Sequence, residues 1–383
     1  MNLIWVVVIS AGGAAYAVLL AASLCGLLRL KRTDPPRLED APSVSVVVAA
    51  RNEEHHIGAT VTDLLAQDYP PEKLEIIVVD DNSEDRTTAI VEEIASRDPR
   101  VRLIRQENIR PEQSPKKQAL ERGIRAAGGE VVLTTDADCR CTANWLSSLV
   151  SRLAPGVGMV TGQARFDIGT DPPLWQRLQA LDFQAQGILA AGLVAAGMPF
   201  TCTGASLAFR VALFDEVGGW KGVRRIISGD DELLLAKASR SRWRVVAATG
   251  RDPVVLTRPP GSLRELWHQR TRWGSKGFHY RPSRRFILSG IFLFYLGLLS
   301  GPAVCLFTGN WGIWLGCTAA KIALDLSVLA IGSGLFAERF RWVDLLLAES
   351  LHPPAIVLFA LFGNFGGFDW KGRHFRRGGE ARR

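Results

Sequence analysis

Two acidic residues, Asp136 and Asp138, flank a single alanine directly after the apolar run at 131–134. Carboxylates with this spacing can bind a hard divalent cation, which prefers oxygen ligands and can neutralise a departing diphosphate. Acidic residues at the end of a strand also serve as solvated turn formers or helix caps. The position of Asp136 and Asp138 favours the cation site, because carboxylates crowded at the edge of a parallel sheet are costly unless a cation joins them.

A second acidic pair, Asp80 and Asp81, ends another apolar run and precedes Asn82 and Ser83. The four residues are consistent with an Asx-type turn that caps the following helix. That turn does not require two successive acids. One of them could accept a hydrogen bond from the imide N–H of a uracil base, as acidic residues near such turns do for nucleotide ribose in related sheets.

The elements that would position these acids alternate regularly between strand and helix patterns. Short apolar runs at 44–50, 74–79, 101–104 and 131–134 predict strands, and helical spacing predicts helices at 57–67, 87–96 and 117–127. The alternation predicts a doubly wound α/β sheet with ligands at the carboxyl ends of its strands. The stretch from 155 to about 260 is less regular.

The apolar content of the chain is concentrated in long uncharged stretches. In the 383 residues, 47% are hydrophobic, and residues 3–28 carry no charge, which is enough to cross a bilayer. A signal peptide would be shorter and would have a basic start and a cleavage site, so we expect a retained anchor. Arg29, Lys31 and Arg32 follow it, and the positive-inside rule then places the next segment in the cytosol.

A second apolar region begins after Arg285. Residues 286–336 contain only Lys321 and Asp325 as charged residues, which predicts two membrane spans joined near residues 309–310. A third stretch, 345–368, is interrupted by Glu349, His352 and two prolines. It either spans or forms a broken or re-entrant segment. We favour a segment that does not cross, because a further span would place the basic tail outside.

The formal net charge of +8 could suggest nucleic acid as a partner. The basic residues, however, concentrate beside apolar stretches, at Arg281, Arg284, Arg285 and in the tail 371–383. This distribution favours anionic lipid headgroups, so we expect membrane lipids and no nucleic acid as partners. The six cysteines are scattered and indicate neither a disulfide framework nor a zinc site.

Five short motifs occur in the order and spacing of one family and cover about residues 43–273. They are AARNEE (49–54), VVDDNSED (78–85), TTDADC (134–139), SGDDELLL (228–235) and HQRTRW (268–273). Together they resemble family 2 glycosyltransferases. The resemblance implies a GT-A nucleotide-diphospho-sugar transferase fold, a donor that is usually a UDP-sugar, Mg²⁺ or Mn²⁺ as cofactor, and inversion at the anomeric centre.

The resemblance also implies a role for particular residues of this chain. Asp138 would be the principal metal ligand, with Asp136 contacting the donor or supporting the metal. Lys117 is expected near the donor, although it could equally be a solvated lysine at a helix start. The full set expected to bind the donor is Ala49, Arg51, Glu53, Asp80, Asp81, Lys117, Asp136, Gln269, Arg272 and Trp273.

The pair Asp230 and Asp231 resembles the catalytic acidic pair of this family, with Asp231 as general base. Adjacent like charges in a buried site raise the pKa of at least one of them, which suits a base. The alternative is a cap for a helix that begins at Leu233. Both can hold together, with Asp230 capping and Asp231 facing the acceptor. The segment TGASLAFR resembles the acceptor side and yields three candidate residues: Gly204, Ala205 and Ser206.

The motif containing Gln269, Arg272 and Trp273 resembles the Q-x-x-R-W element of membrane-integrated members. Arginine offers forked donors to a diphosphate, and tryptophan can pack on a sugar ring. The same segment has the spacing of an amphipathic interfacial helix, and the two interpretations are compatible. We expect Arg272 and Trp273 to close over the donor.

These patterns divide the chain into six parts. They are a membrane anchor (1–30), a linker (31–42), a cytosolic GT-A domain (43–260), an interfacial segment (261–285), a membrane region (286–368) and a basic tail (369–383). We expect an inverting, metal-dependent transferase in a bacterial inner membrane that acts on a lipid-linked or membrane-embedded acceptor. The alternatives are a processive polysaccharide synthase and a non-catalytic nucleotide-sugar-binding scaffold.

Overall fold

The computed structural model describes residues 2–30, 41–107, 110–338 and 340–375. Its helices are α1 (Asn2–Arg29), α2 (Ile57–Leu65), α3 (Thr87–Arg97), α4 (Pro115–Ala126), α5 (Trp145–Val150), α6 (Leu174–Ala195), α7 (Val211–Glu216), α8 (Asp230–Ala238), α9 (Leu263–Gly274), α10 (Pro282–Thr308), α11 (Trp311–Phe336) and α12 (Trp342–Phe365). Its strands are β1 (Val44–Ala50), β2 (Leu74–Asp80), β3 (Val101–Arg105), β4 (Val131–Asp136), β5 (Val157–Thr161), β6 (Gln163–Phe166), β7 (Leu207–Arg210), β8 (Arg244–Ala247), β9 (Val254–Thr257), β10 (Phe368–Trp370) and β11 (Arg373–Phe375).

A seven-stranded sheet in the order β3-β2-β1-β4-β7-β5-β8 forms the centre of the domain that follows α1. The valine-rich strand β1 is buried on both faces and pairs in parallel with β2 and β4. The chain winds outward from β1 to β3 and then returns to place β4 on the other side of β1. Ligands of such sheets bind where this reversal opens a crevice at the carboxyl ends of the strands.

The predicted α/β fold is confirmed, with one difference in strand direction. Strand β7 runs antiparallel to both β4 and β5, so the sheet is mixed. The four predicted strands begin where expected and end within two residues of the prediction. Helix α8 begins at Asp230 instead of Leu233, because Gly229 adopts a left-handed conformation (φ 74°) that starts the helix earlier.

Four helices, α1, α10, α11 and α12, are long and apolar enough to cross a membrane. Helix α1 packs against α10 and α6 through glycines, which allow the helix backbones to approach closely. A Cβ added at Gly12 would lie 2.5 Å from the carbonyl oxygen of Gly290, and one added at Gly26 would overlap the carbonyl oxygen of Gly192. These contacts fix α1 against the other helices.

Charged side chains inside this helical region are paired with one another. The Lys321 ammonium donates to Asp325 at 2.7 Å and to Glu349 on α12, and the Tyr16 hydroxyl on α1 donates to Asp325. An unpaired charge in an apolar environment is costly, whereas a paired one fixes the helices that carry it. The polar residues that interrupt the apolar stretches therefore tie α1, α11 and α12 together.

Helix α12 is continuous through Pro353 and Pro354, so the broken form of this segment does not occur. Its start contacts α6 of the sheet domain, and its end contacts the segment 261–285. Near its start, Asp344 forms an ion pair with Arg177 of α6 at 3.0 Å. Near its end, aromatic residues of α12 pack against Trp267 and Phe278.

The α1–α6 contact yields a stability prediction. The variant Gly26→Leu places a side chain into the backbone of Gly192, so the thermal unfolding temperature in detergent should fall, with a free-energy cost of about 2 kcal/mol or more. Gly316→Leu on α11 is the matched control, because no atom lies within 4 Å of a Cβ at that position. Equal unfolding temperatures for both variants would contradict the described helix packing.

Candidate active site

The two acidic motifs meet at the crevice in the sheet. Asp136 ends β4 and lies opposite Ala49 of β1 in the strand register, while Asp230 begins α8. The Lys116 ammonium lies between them, 2.6 Å from Asp136 and 3.3 Å from Asp230. A single cation therefore joins two segments that are far apart in the sequence.

The lysine that forms ion pairs with the acidic cluster is Lys116, while Lys117 is buried, so its interpretation as a solvated lysine is wrong and its place near the donor stays a prediction. Ser114 caps α4, and successive residues of this helix face different directions, so Lys116 and Lys117 have different partners. The buried Lys117 ammonium donates to the carbonyl oxygens of Ile226 and, at 2.8 Å, of Ser228. Burial lowers its pKa to about 7. Lys117 thus holds the loop that precedes Asp230.

The environments of Asp230 and Asp231 separate their pKa values. Burial acts to raise the pKa of Asp230, but Lys116 and Lys117 outweigh it, so the pKa is lowered. Burial and the neighbouring Asp230 carboxylate raise the pKa of Asp231 to about 6. Asp231 also accepts a hydrogen bond from the backbone N–H of Gly204 at 2.8 Å. An ionised acid thus lies beside one poised for proton transfer near neutral pH.

Asp136, Asp138 and Cys139 lie close enough to hold one ion, with their ligand atoms within 4.8 Å of one another. The two carboxylates are suitable ligands for Mg²⁺ or Mn²⁺. Burial, together with both neighbouring carboxylates, raises the pKa of the Cys139 thiol well above its usual value, so the sulfur stays protonated. The donor set therefore fits a hard cation held by oxygen atoms of Asp136 and Asp138.

Arg272, on α9, points its guanidinium towards these acids. Burial lowers its pKa, and the carboxylates Asp230, Asp136, Asp231 and Asp138 oppose that effect. An arginine in such a position can bind an anion between the acidic groups through forked hydrogen bonds.

The aromatic residue over Arg272 is Trp370 of β10, whose ring centroid lies 5.1 Å from the guanidinium carbon. Trp273, expected at this place, instead stacks on Phe183 of α6 at 5.6 Å between ring centroids and accepts the Arg270 guanidinium on its face. Successive helix residues face different directions, which separates Trp273 from Arg272. The buried side-chain oxygen of Gln269 has no hydrogen-bond partner among the described residues.

On the other side of the crevice, Asp80 and Asp81 have different partners. Asp80 accepts from the backbone N–H of Ser83, the local turn that the sequence allowed. Asp81 is buried, accepts from Gln106 at 3.3 Å, and has a pKa raised by burial. Arg51 donates to the carbonyl oxygens of Asp81 and Asn82 at 2.7 Å and so braces this loop. Asp81 is therefore the member of the pair that faces the crevice.

The C-terminal hairpin, residues 368–375, also reaches this side of the crevice. The Lys371 ammonium forms an ion pair with Glu53, and the Arg373 guanidinium lies 2.8 Å from Asp81. No motif in the sequence signals these contacts, and the basic character of the tail by itself predicts a place at lipid headgroups. The described part of that tail lies in the crevice, and residues 376–383 are outside the described residues.

The three acceptor-side candidates are placed differently from one another. Gly204 lies beside Asp230 and Asp231, and a Cβ there would be 3.2 Å from an Asp230 oxygen. Ala205 and Ser206 are buried. The Ser206 hydroxyl donates to the carbonyl of Pro253 at 2.8 Å and accepts from the Trp145 indole at 2.9 Å. Ser206, which precedes strand β7, is therefore a packing residue held in the core by these two hydrogen bonds.

Similarity to known proteins extends over most of this chain. The family model described as "Glycosyl transferase family 2" matches residues 45–218. The beta-monoglucosyldiacylglycerol synthase of Synechocystis sp. is 33% identical over 96% of this chain and 81% of its own length. A poly-beta-1,6-N-acetyl-D-glucosamine synthase of Staphylococcus aureus is 25% identical over 63% of this chain and 56% of its own length.

A solved structure supports the fold. A mannosyltransferase from Pyrobaculum calidifontis, in complex with GDP-Man and Mn²⁺, aligns with a TM-score of 0.57 and 22% identity over 93% of this chain and 99% of that one. The motifs, the sheet with its acidic crevice and the similarity to the Synechocystis enzyme agree with one another. The chain belongs to glycosyl transferase family 2 and is a glycosyltransferase with a GT-A fold.

Proposed function

We propose that this glycosyltransferase moves one sugar, with inversion, from a nucleotide-diphospho-sugar to the hydroxyl of a lipid acceptor at the membrane surface. The observation that carries the proposal is the bridge from Asp136 through Lys116 to Asp230. It brings the groups suited to hold a metal and a diphosphate beside the group suited to act as a base. Neither pair of acids alone would support transfer.

In the proposed mechanism, Asp231 removes the proton of the acceptor hydroxyl while that oxygen bonds to the anomeric carbon. The bond between the anomeric carbon and the diphosphate oxygen breaks at the same time, and the negative charge moves onto the diphosphate. Arg272 stabilises this charge through forked hydrogen bonds. The ionised Asp230 keeps Lys116 in place and favours proton uptake by Asp231.

Asp136 and Asp138 would hold Mg²⁺ or Mn²⁺ beside the diphosphate. Such a cation, when bound, offsets the charge that develops on the leaving group. Thr257 donates to an Asp138 oxygen at 3.3 Å and orients that carboxylate. Orientation by a neighbouring hydrogen bond is typical of ligating carboxylates.

The proposal of a lipid acceptor is supported by the share of this chain that is similar to each of two relatives. The likeness to the Synechocystis glycolipid synthase covers 96% of the chain and therefore includes the apolar helices. The likeness to the polysaccharide synthase covers 63%. An acceptor that stays in the membrane also needs no channel, which agrees with the few helices that follow the sheet domain. These observations favour a single transfer over a processive synthase.

The helix packing supports a particular arrangement in the membrane. We propose that α1, α10 and α11 cross it, whereas α12, whose two ends contact Arg177 and Trp267, does not cross to the far side. The catalytic domain and the described C-terminal residues then share the cytosolic side. This arrangement agrees with the positive-inside rule, which a fourth crossing would violate.

The general base can be tested separately from donor binding. Asp231→Asn should lower the rate of sugar transfer by about a hundredfold or more, because it removes the proton acceptor, while donor binding in the presence of Mn²⁺ stays close to that of wild type. Asp215→Asn, at a half-exposed aspartate on α7, is the matched control. Unchanged transfer by Asp231→Asn would refute the assignment, and a wild type that transfers no sugar from any donor would favour the scaffold.

The pH dependence follows from the pKa of Asp231. The base must be ionised, so the transfer rate should rise as the pH increases through about 6. Asp230→Asn removes the neighbouring negative charge and should move this rise to lower pH, after each profile is scaled to its own plateau. A profile that stays in place in Asp230→Asn would show that another group controls the rate.

The membrane arrangement predicts which thiols an impermeant reagent reaches in intact cells. Asn310→Cys, between α10 and α11, should be labelled from outside. His374→Cys, exposed on the C-terminal hairpin, should be labelled only after permeabilisation. The parent protein serves as the background for its native cysteines. Labelling of His374→Cys in intact cells would show that α12 crosses the membrane.

A further inference from the structure

The C-terminal hairpin is built to present two cations. Strands β10 and β11 are joined by Lys371 and Gly372, which both have positive φ, at 50° and 73°. Turns of this kind match the twist of a two-stranded ribbon, and glycine adopts them without strain. A left-handed backbone conformation is costly for lysine. Contacts made by the Lys371 side chain can offset that cost.

The hairpin is fixed to two parts of the active site. Phe368 and Phe375 pack against Ile227 in the loop that precedes Asp230. The backbone N–H of Asp369 donates to His268 of α9 at 3.1 Å. Trp370 then lies over Arg272. The hairpin thus covers the crevice from the side of α9.

The turn of the hairpin reaches the opposite wall. Lys371 pairs with Glu53 and Arg373 with Asp81, and both carboxylates are nearly buried, with 8% and 5% of their surfaces exposed. Arg51 adds a hydrogen bond to the carbonyl oxygen of Lys371 at 3.4 Å. Buried carboxylates need such partners, since an isolated buried charge is costly. The hairpin thereby spans the crevice from α9 to β1 and β2.

We propose that Lys371 and Arg373 are donor-binding residues and that the C-terminal hairpin is a lid which closes over the nucleoside diphosphate. The inference rests on the proposed function, because it requires a nucleotide-sugar donor in this crevice. A diphosphate entering a crevice lined by carboxylates is repelled unless cations outnumber them locally. Lys371, whose ammonium pairs with Glu53, supplies one such cation in this crevice.

Arg373 and Asp81 together form a pattern that fits the edge of a base. The carboxylate accepts hydrogen bonds, and the adjacent guanidinium donates them. Uracil and guanine present an imide or amide N–H next to a carbonyl oxygen, which is the complementary order. Adenine and cytosine lack that N–H next to a carbonyl on their pairing edge. The pair therefore selects a uridine or guanosine diphosphate over the other two.

The test measures binding of UDP and GDP, each with Mn²⁺, to the full-length protein in detergent by calorimetry. Lys371→Ala and Arg373→Ala should each weaken the binding of the preferred nucleotide by about tenfold or more, as expected for the loss of a charged hydrogen bond. They should also raise KM for the sugar donor more than they lower kcat. Lys371→Arg keeps the charge and should bind more tightly than Lys371→Ala.

Lys221→Ala, at an exposed lysine away from the crevice, is the matched control and should bind nucleotide as wild type does. Unfolding temperatures without nucleotide identify any variant that has lost its fold. Equal binding by wild type and both hairpin variants would overturn the inference, because the hairpin would then be only a structural strap. Tighter binding would also overturn it by showing that the hairpin competes with the donor. If the wild type binds neither nucleotide, the proposed function fails as well.

Discussion

Mutual repulsion of acidic side chains is the constraint on which this active site depends. Carboxylates from β4, from the turn after it and from the start of α8 converge where the sheet reverses its strand order. Such a cluster is stable only if cations are placed among its members. Lys116 joins Asp136 to Asp230, and Arg272 faces both motifs. The positions of α4 and α9 are therefore set as much by charge as by packing.

The same constraint links the membrane helices to catalysis. Arg272 belongs to α9, which packs against α12, and α12 is tied to α11 through the Lys321 ammonium and Glu349. The chain that leaves α12 then returns cations to the crevice as the C-terminal hairpin. A lipid acceptor and a soluble donor would meet at this junction. In the proposed function, the apolar helices therefore position Arg272 and the C-terminal hairpin as well as hold the protein at the membrane.

Local patterns accounted for much of the fold and for the choice of acidic motifs. Buried strands such as β1 are continuous valine-rich runs, and the acids stand at their ends, so strand positions and the site edge followed from local patterns. The direction of each strand in the sheet was harder to predict, since β7 is a short strand whose antiparallel pairing depends on its neighbours. The ion pairs of Lys116 were also not predicted, because the neighbouring lysines of α4 differ only in the direction that each faces from the helix.

The sequence by itself determined the family, the α/β sheet, the long apolar helices and the acidic residues available for chemistry, because these depend on periodicity and short motifs. The tertiary structure alone decided which cations face those acids, which aromatic residue covers Arg272, and that Ser206 is buried in the core. The contacts of Lys371 with Glu53 and of Arg373 with Asp81 join opposite ends of the chain. No local pattern records such a contact, because it arises only when several independently placed helices have packed together.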